Sequence, residues 1–146
     1  MVINVLRAGT LAVILCAPLA PAFAADLKGN WLTEEGKATV RIADCGAALC
    51  GTIVALKEPN DPATGQPKTD KNNTDTSKRN RPMIGVQIVL GMTPAGADQW
   101  KGQVYNAEDG KTYTGSLTMQ NANTLKLQGC ILGGIICKSS TWTRKS

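Results

Sequence analysis

Residues Thr112–Met119 read Thr-Tyr-Thr-Gly-Ser-Leu-Thr-Met, and their alternation decides the fold class. Tyr113, Leu117 and Met119 alternate with Thr112, Thr114, Ser116 and Thr118. A period of two sends one set of side chains to each face of a strand and does not fit the period of a helix. The pattern recurs on both sides. Downstream, Leu125–Cys130 alternates Leu125 and Leu127 with Lys126 and Gln128, and Ser140–Arg144 closes the chain. Upstream lie Trp100–Tyr105, then Ile84–Leu90, with Ile84, Val86, Ile88 and Leu90 on one side. Further back are the apolar run Leu49–Lys57, then Lys37–Asp44 with Ala38, Val40 and Ile42 on one face, and Asn30–Glu34. Turn signals separate them: Glu35-Gly36, Gly46, Gly91 to Gly96, Asp109-Gly110, Asn121-Ala122-Asn123 and Gly133-Gly134. Most of these connections are of hairpin length. The expectation is an all-β domain: an eight-stranded antiparallel meander closed into an up-and-down barrel. Closure hides strand edges and points to a monomer.

The first segment does not belong to that domain. Met1–Arg7 carries one cation, Ala8–Ala17 is a short apolar run, and Ala22-Phe23-Ala24 is a small-x-small cleavage pattern. That order is a secretory signal, residues 1–24, leaving a mature domain of residues 25–146. The run is too short for a membrane span, and Pro18 and Pro21 interrupt its extension. Leu15 before Cys16 argues against lipidation. The mature product is expected to be soluble and periplasmic. Of 16 Lys and Arg against 11 Asp and Glu, only Arg7 lies in the leader, so the mature chain stays basic. Its cations are scattered among acids without a basic, aromatic-studded stripe, which excludes nucleic acid as a partner.

Four of the five cysteines remain after cleavage: Cys45, Cys50, Cys130 and Cys137. In an oxidising compartment they read as two disulfides, and three pairings are open. The flanking turns favour Cys45–Cys50 and Cys130–Cys137. Counting outward from Gly133-Gly134 sets Leu132 opposite Ile135, Ile131 opposite Ile136 and Cys130 opposite Cys137. A four-cysteine zinc site lacks its usual C-x-x-C spacing.

Two features bear on binding. Gly102, Gly115 and Gly129 fall on the inward phase of three successive strands, where they permit either tight coiling or a hollow. Residues 58–82 form a polar connection with Pro59, Pro62, Pro67 and Pro82 and no period. It reads as a solvated linker or as a lid or partner-binding loop at one barrel mouth. Asp70-Lys71-Asn72-Asn73 lacks the glycine of a calcium loop, and Arg81 stands at the terminal glutamate position.

The chemistry is sparse. The chain has no histidine, which removes the usual nucleophile–histidine machinery and most zinc sites. No phosphate-cradling or dinucleotide motif occurs, so no metal and no cofactor are expected. Glu108 and Asp109 are the one acid pair beside aromatics, and they sit on what reads as a hairpin turn. The candidate binding residues are Arg79 and Arg81, for an anionic headgroup or carboxylate, and the aromatics Trp100, Tyr105 and Tyr113.

Taken in order, these phrases resemble a bacterial family: Gly29-Asn30-Trp31, Cys45–Gly51, Arg81-Pro82-Met83-Ile84-Gly85, Trp100-Lys101-Gly102, Tyr105–Tyr113, Gly129-Cys130 and Thr141-Trp142-Thr143-Arg144. The resemblance is to bacterial domain of unknown function family 2147 and spans the mature chain. It implies an exported protein with a lipocalin-like, calycin-type barrel and carries no established activity. A second resemblance is to lipocalins themselves, in a Gly-x-Trp on the first strand and a late basic residue that stacks on it. It implies a structural latch of Trp31 and Arg144. The expected function is non-enzymatic binding of a small amphipathic or lipid-like ligand in the periplasm. The alternative is a filled barrel that docks an envelope protein through the 58–82 loop. Hydrolysis through Glu108 and Asp109 is a third reading.

Overall fold

The computed structural model describes residues 26–146; the proposed leader, residues 1–24 with Cys16, lies outside them. Eight strands form a closed antiparallel barrel: β1 (Gly29–Leu32), β2 (Ala38–Cys45), β3 (Ala48–Leu56), β4 (Gln87–Gly96), β5 (Gln99–Asn106), β6 (Lys111–Asn121), β7 (Thr124–Ile131) and β8 (Ile136–Arg144). Each pairs with the next, and β1 closes on β8. The strand expected over Thr112–Met119 is β6. It sends Gly115, Leu117 and Met119 inward, all buried, and leaves Thr114, Ser116 and Thr118 more exposed.

The lower end holds the tight turns at 46–47, 97–98 and 122–123. The upper end holds the connections at 33–37, 57–86, 107–110 and 132–135. Trp31, Val40, Ile42, Val89, Met92, Leu117, Leu125 and Trp142 fill the interior and are essentially solvent-free. Two clefts, of ≈ 810 Å³ and ≈ 270 Å³, open on the outer wall.

Several sequence expectations are corrected. Strand four begins at Gln87 rather than Ile84, and the supposed turn over Gly91 to Gly96 lies within it. The buried residues there are Val86, Val89 and Met92, not the alternating set Ile84, Val86, Ile88 and Leu90; Ile84 is exposed. Bulges are the cause. Against β3, Thr52 pairs with Gln87 and Gly51 with Val89, and against β5, Leu90 pairs with Gln103 and Thr93 with Lys101, so an extra β4 residue at each place flips the inward phase. β8 starts four residues earlier than expected. The β5–β6 turn is four residues long, and only Gly110 in it takes a positive φ, 71°.

Gly102, Gly115 and Gly129 stand directly opposite one another across β5, β6 and β7. A Cβ on Gly102 would lie 2.6 Å from the Leu90 carbonyl oxygen, and one on Gly115 would overlap Val104 Cγ2. Of the two readings open for this row, tight coiling fits these contacts at Gly102 and Gly115. Closure is partial at the upper end. β1 pairs with β8 only through Trp31–Arg144 and Leu32–Thr143, so Ile136–Thr141 keeps a ladder on its β7 side alone.

Candidate functional site

The lower end is stapled through Arg144. Its guanidinium lies 4.3 Å from the Trp31 ring centroid. Its three nitrogens donate to the carbonyls of Ala122 (2.8 Å), Lys28 (2.9 Å) and Asp26 (2.6 Å). The indole N–H of Trp31 donates to the Leu27 carbonyl at 3.0 Å. A Cβ on Gly29 would lie 2.9 Å from Arg144 Nη1, which explains why glycine precedes Asn30-Trp31. Arg144 therefore ties the first strand, the last strand and the β6–β7 turn together, with every guanidinium nitrogen occupied.

The upper end is open. Inward phase places Tyr113 on β6, Gly129 on β7, and Ile136 and Lys138 on β8 around it. The turn between β7 and β8 is a 3₁₀ turn, Leu132–Gly134, longer than the two-residue hairpin expected from Gly133-Gly134. The expected register survives: Ile131 opposes Ile136, and Cys130 opposes Cys137. Cys130 and Cys137 form one disulfide, and Cys45 and Cys50 the other. The hairpin tip is apolar and uncovered. Ile131, Leu132, Ile135 and Ile136 are 43, 66, 83 and 54 % exposed, and they are four of the five exposed large hydrophobics among the described residues. The Tyr113 hydroxyl donates a hydrogen bond to Asp109, which raises the pKa of the phenol. Burial pushes the Asp109 carboxyl up, but the bonds from Tyr113 and the Lys111 amide outweigh it and hold it low. Asp109 is thus bound into the rim rather than paired with Glu108.

The long connection is neither a solvated linker nor a lid over the mouth. It is an ordered strap laid on the outer wall, and Asp70 anchors it. Asp70 is the one fully buried ionisable side chain among the described residues. It accepts from Tyr105 Oη at 2.5 Å, Asn73 Nδ2 at 2.8 Å and Arg81 Nε at 2.9 Å, with Arg81 Nη2 at 2.7 Å. Burial alone would raise the carboxyl's pKa, but these donors together lower it below the ordinary value. Burial first, and then the Asp70 carboxylate, push Tyr105 up to about 12. Asn72 Nδ2 donates to the carbonyls of Ala107 and Glu108, fastening the strap to the β5–β6 turn. The approach is so close that a Cβ on Gly110 would overlap the Asn72 carbonyl oxygen.

The sequence-derived candidates therefore do not form one site. Trp100 faces inward near the lower end, opposite Leu117, while Tyr113 faces inward near the upper end, opposite Val104. Tyr105, next to Val104 on β5, points outward under the strap. Arg81, expected to bind the headgroup or carboxylate of a ligand, binds the carboxylate of Asp70 in the same chain. Arg79 donates to the Asn73 carbonyl at 2.8 Å. Sequence reasoning missed Lys138 because it began the last strand too late. It missed the anchoring role of Asp70 because Tyr105 lies 35 residues away.

A closed eight-stranded antiparallel barrel, latched by an arginine over the tryptophan of a Gly-x-Trp, defines a lipocalin-like domain. The chain belongs to the family described as uncharacterized protein conserved in bacteria (DUF2147), whose model matches residues 29–144. Among solved structures it is similar to protein HP1028 from the human pathogen Helicobacter pylori, which belongs to the lipocalin family. The two share 27 % identity over 84 % of each chain, with a TM-score of 0.68. Curated proteins yield no significant match.

Proposed function

We propose that this protein is a non-enzymatic, monomeric binding protein of the bacterial periplasm that holds a small amphipathic or lipid-like molecule. The domain at work is the single barrel, residues 25–146, left after cleavage of the leader at residues 1–24. The ligand lies across the open upper end rather than inside the barrel. The carrying observation is the exposed apolar tip of the β7–β8 hairpin, concentrated where the barrel is open. Isolated exposed aliphatics are ordinary, whereas four together mark a contact surface. Covering Leu132 and Ile135 with an acyl chain returns roughly 1–2 kcal/mol each. Lys138, inward-phased and exposed beside them, supplies a cation for an anionic headgroup. Two disulfides and the leader pattern support export. The lipocalin family membership of HP1028 supports a small-molecule ligand.

The test is titration with a fluorescent fatty acid and its displacement by unlabelled fatty acid or lysophospholipid. Saturable binding is expected, and Leu132→Asp with Ile135→Asp should abolish it without lowering the melting temperature. Absence of saturable binding across these lipid classes refutes the reading.

The filled interior favours a second reading, in which the same tip docks another envelope protein. The strap is bonded down, so the docking element in that reading is the hairpin rather than the 58–82 loop. In-cell crosslinking from position 135 to one specific protein, together with no lipid binding, selects it.

A further inference from the structure

We propose that the cleft between the strap and the outer faces of β4, β5 and β6 binds a small hydroxylated oxyanion of the sugar-phosphate class. This second site shares no residue with the apolar tip. The cleft has a volume of ≈ 810 Å³, and its charged lining is three cations, Lys78, Arg81 and Lys111, against one carboxylate, Asp75. Asp75 is already engaged. Its Oδ1 accepts from the Ser77 amide and hydroxyl, and Lys78 lies 3.7 Å from its Oδ2.

Two of the cations have capacity to spare. Arg81 spends Nε and Nη2 on Asp70, leaving Nη1 with no partner among the described residues. The Lys111 ammonium likewise makes no ion pair among them, although its backbone amide is held by Asp109. The Asp70 cluster immobilises the guanidinium at the cleft wall before any ligand arrives, so little ordering entropy remains to be lost on binding. An oxyanion between Arg81 Nη1 and the two ammonium groups gains charge-assisted bonds.

The rest of the lining suits a hydroxylated body. Gln87 and Thr112 project outward from β4 and β6, and neither side chain has a hydrogen-bond partner among the described residues. Leu90, partly buried, offers an apolar strip to the C–H face of a sugar ring. A long acyl chain is a poor fit, because polar groups surround that strip.

The groups are solvent-accessible, so affinity is modest and falls with salt. The experiment is amide-resolved NMR titration of the mature protein at fixed ionic strength, with glucose 6-phosphate, inorganic phosphate and glucose as separate probes. Glucose 6-phosphate should saturably shift the amides of Thr74, Lys111 and Thr112, inorganic phosphate should do so more weakly, and glucose should not. Lys78→Ala with Lys111→Ala should weaken glucose 6-phosphate binding roughly tenfold, and the melting temperature should stay unchanged because both lysines are exposed. Arg81 is left intact, since its loss would expose the strap's own anchor. No saturable shift with glucose 6-phosphate, equal shifts in the double variant, or equal shifts with glucose each overturn the site. Inorganic phosphate binding as tightly as glucose 6-phosphate overturns the assignment to a hydroxylated ligand.

Discussion

Asp70 shows how one side chain can hold a segment that has no periodic structure. Its carboxylate gathers donors from residues 73, 81 and 105, and so connects two points of the strap to β5. Asp70→Asn removes the charge behind those bonds, and urea unfolding should show a loss of roughly 2–3 kcal/mol. Limited proteolysis within 58–82 should accelerate in the same variant. The pH dependence follows from the two partners. The folded-state pKa of Asp70 is depressed, so its stabilisation is present above the ordinary carboxyl value and is lost as pH falls through and below about 4. Tyr105 moves the other way, from 10.0 up to about 12. Its contribution is complete below pH 10 and is lost as pH rises to about 12, roughly 2–3 kcal/mol by linkage. The chain has two tyrosines and both are raised, so in an absorbance titration the phenolate signal should develop above the ordinary tyrosine range, with Tyr105 ionising only toward about pH 12. At the other end, Arg144→Ala removes a stacking contact and three backbone bonds. It should cost roughly 2–3 kcal/mol and lower Tm by about 5–10 °C. Arg144→Lys should not restore it, because an ammonium cannot stack flat and reach three carbonyls at once.

Among the elements, hairpins with clean alternation sit where the sequence places them. β6 and β7 keep phase along nearly their whole length, because residues on one strand face single partners on the next. β4 departs because its bulges insert unpaired residues, and a one-residue slip exchanges the buried and exposed faces. No local signal in Ile84–Leu90 marks that slip, since Ile88, Val89 and Leu90 are apolar in succession and suit either face. The β7–β8 hairpin has the opposite character, with correct register and an unexpected tip. Its disulfide closes a short loop and restrains an apolar turn that gains little from packing. Replacing Cys130 and Cys137 by alanine should cost roughly 2–3 kcal/mol by loop entropy. Hydrogen exchange should quicken at Ile131–Cys137, while the β2–β3 hairpin, with its own disulfide, stays protected.

For the molecule as a whole, the barrel is closed and packed at one end and open at the other. Trp31, Trp142 and Leu125 fill the lower half, and Arg144 seals it. The short β1 leaves the upper half of β8 unpaired on one side, so the apolar tip and Lys138 stand beside an incomplete wall. The two proposed binding surfaces are thus the mouth and the strapped outer wall. Both presuppose export. Intact-mass analysis of the protein from its host should find Ala25 as the first residue and no free thiol; an unprocessed chain with reduced cysteines would contradict export.

Alternation, turn residues and cysteine placement are local properties, and they were enough for an eight-stranded antiparallel barrel with a disulfide in each of two hairpins. The Gly29-x-Trp31 pair with Arg144 was legible through the resemblance to lipocalins, and the closed barrel sets the first strand beside the last. Three things depended on contacts between distant segments: the inward phase of β4, the seat of the 58–82 connection, and the separation of Trp100, Tyr105 and Tyr113. Alternation assigns a residue to a face, but which face is covered depends on what packs there. Asp70 and Tyr105 meet only because the folded barrel brings the strap across β5, and no pattern within either segment encodes that meeting.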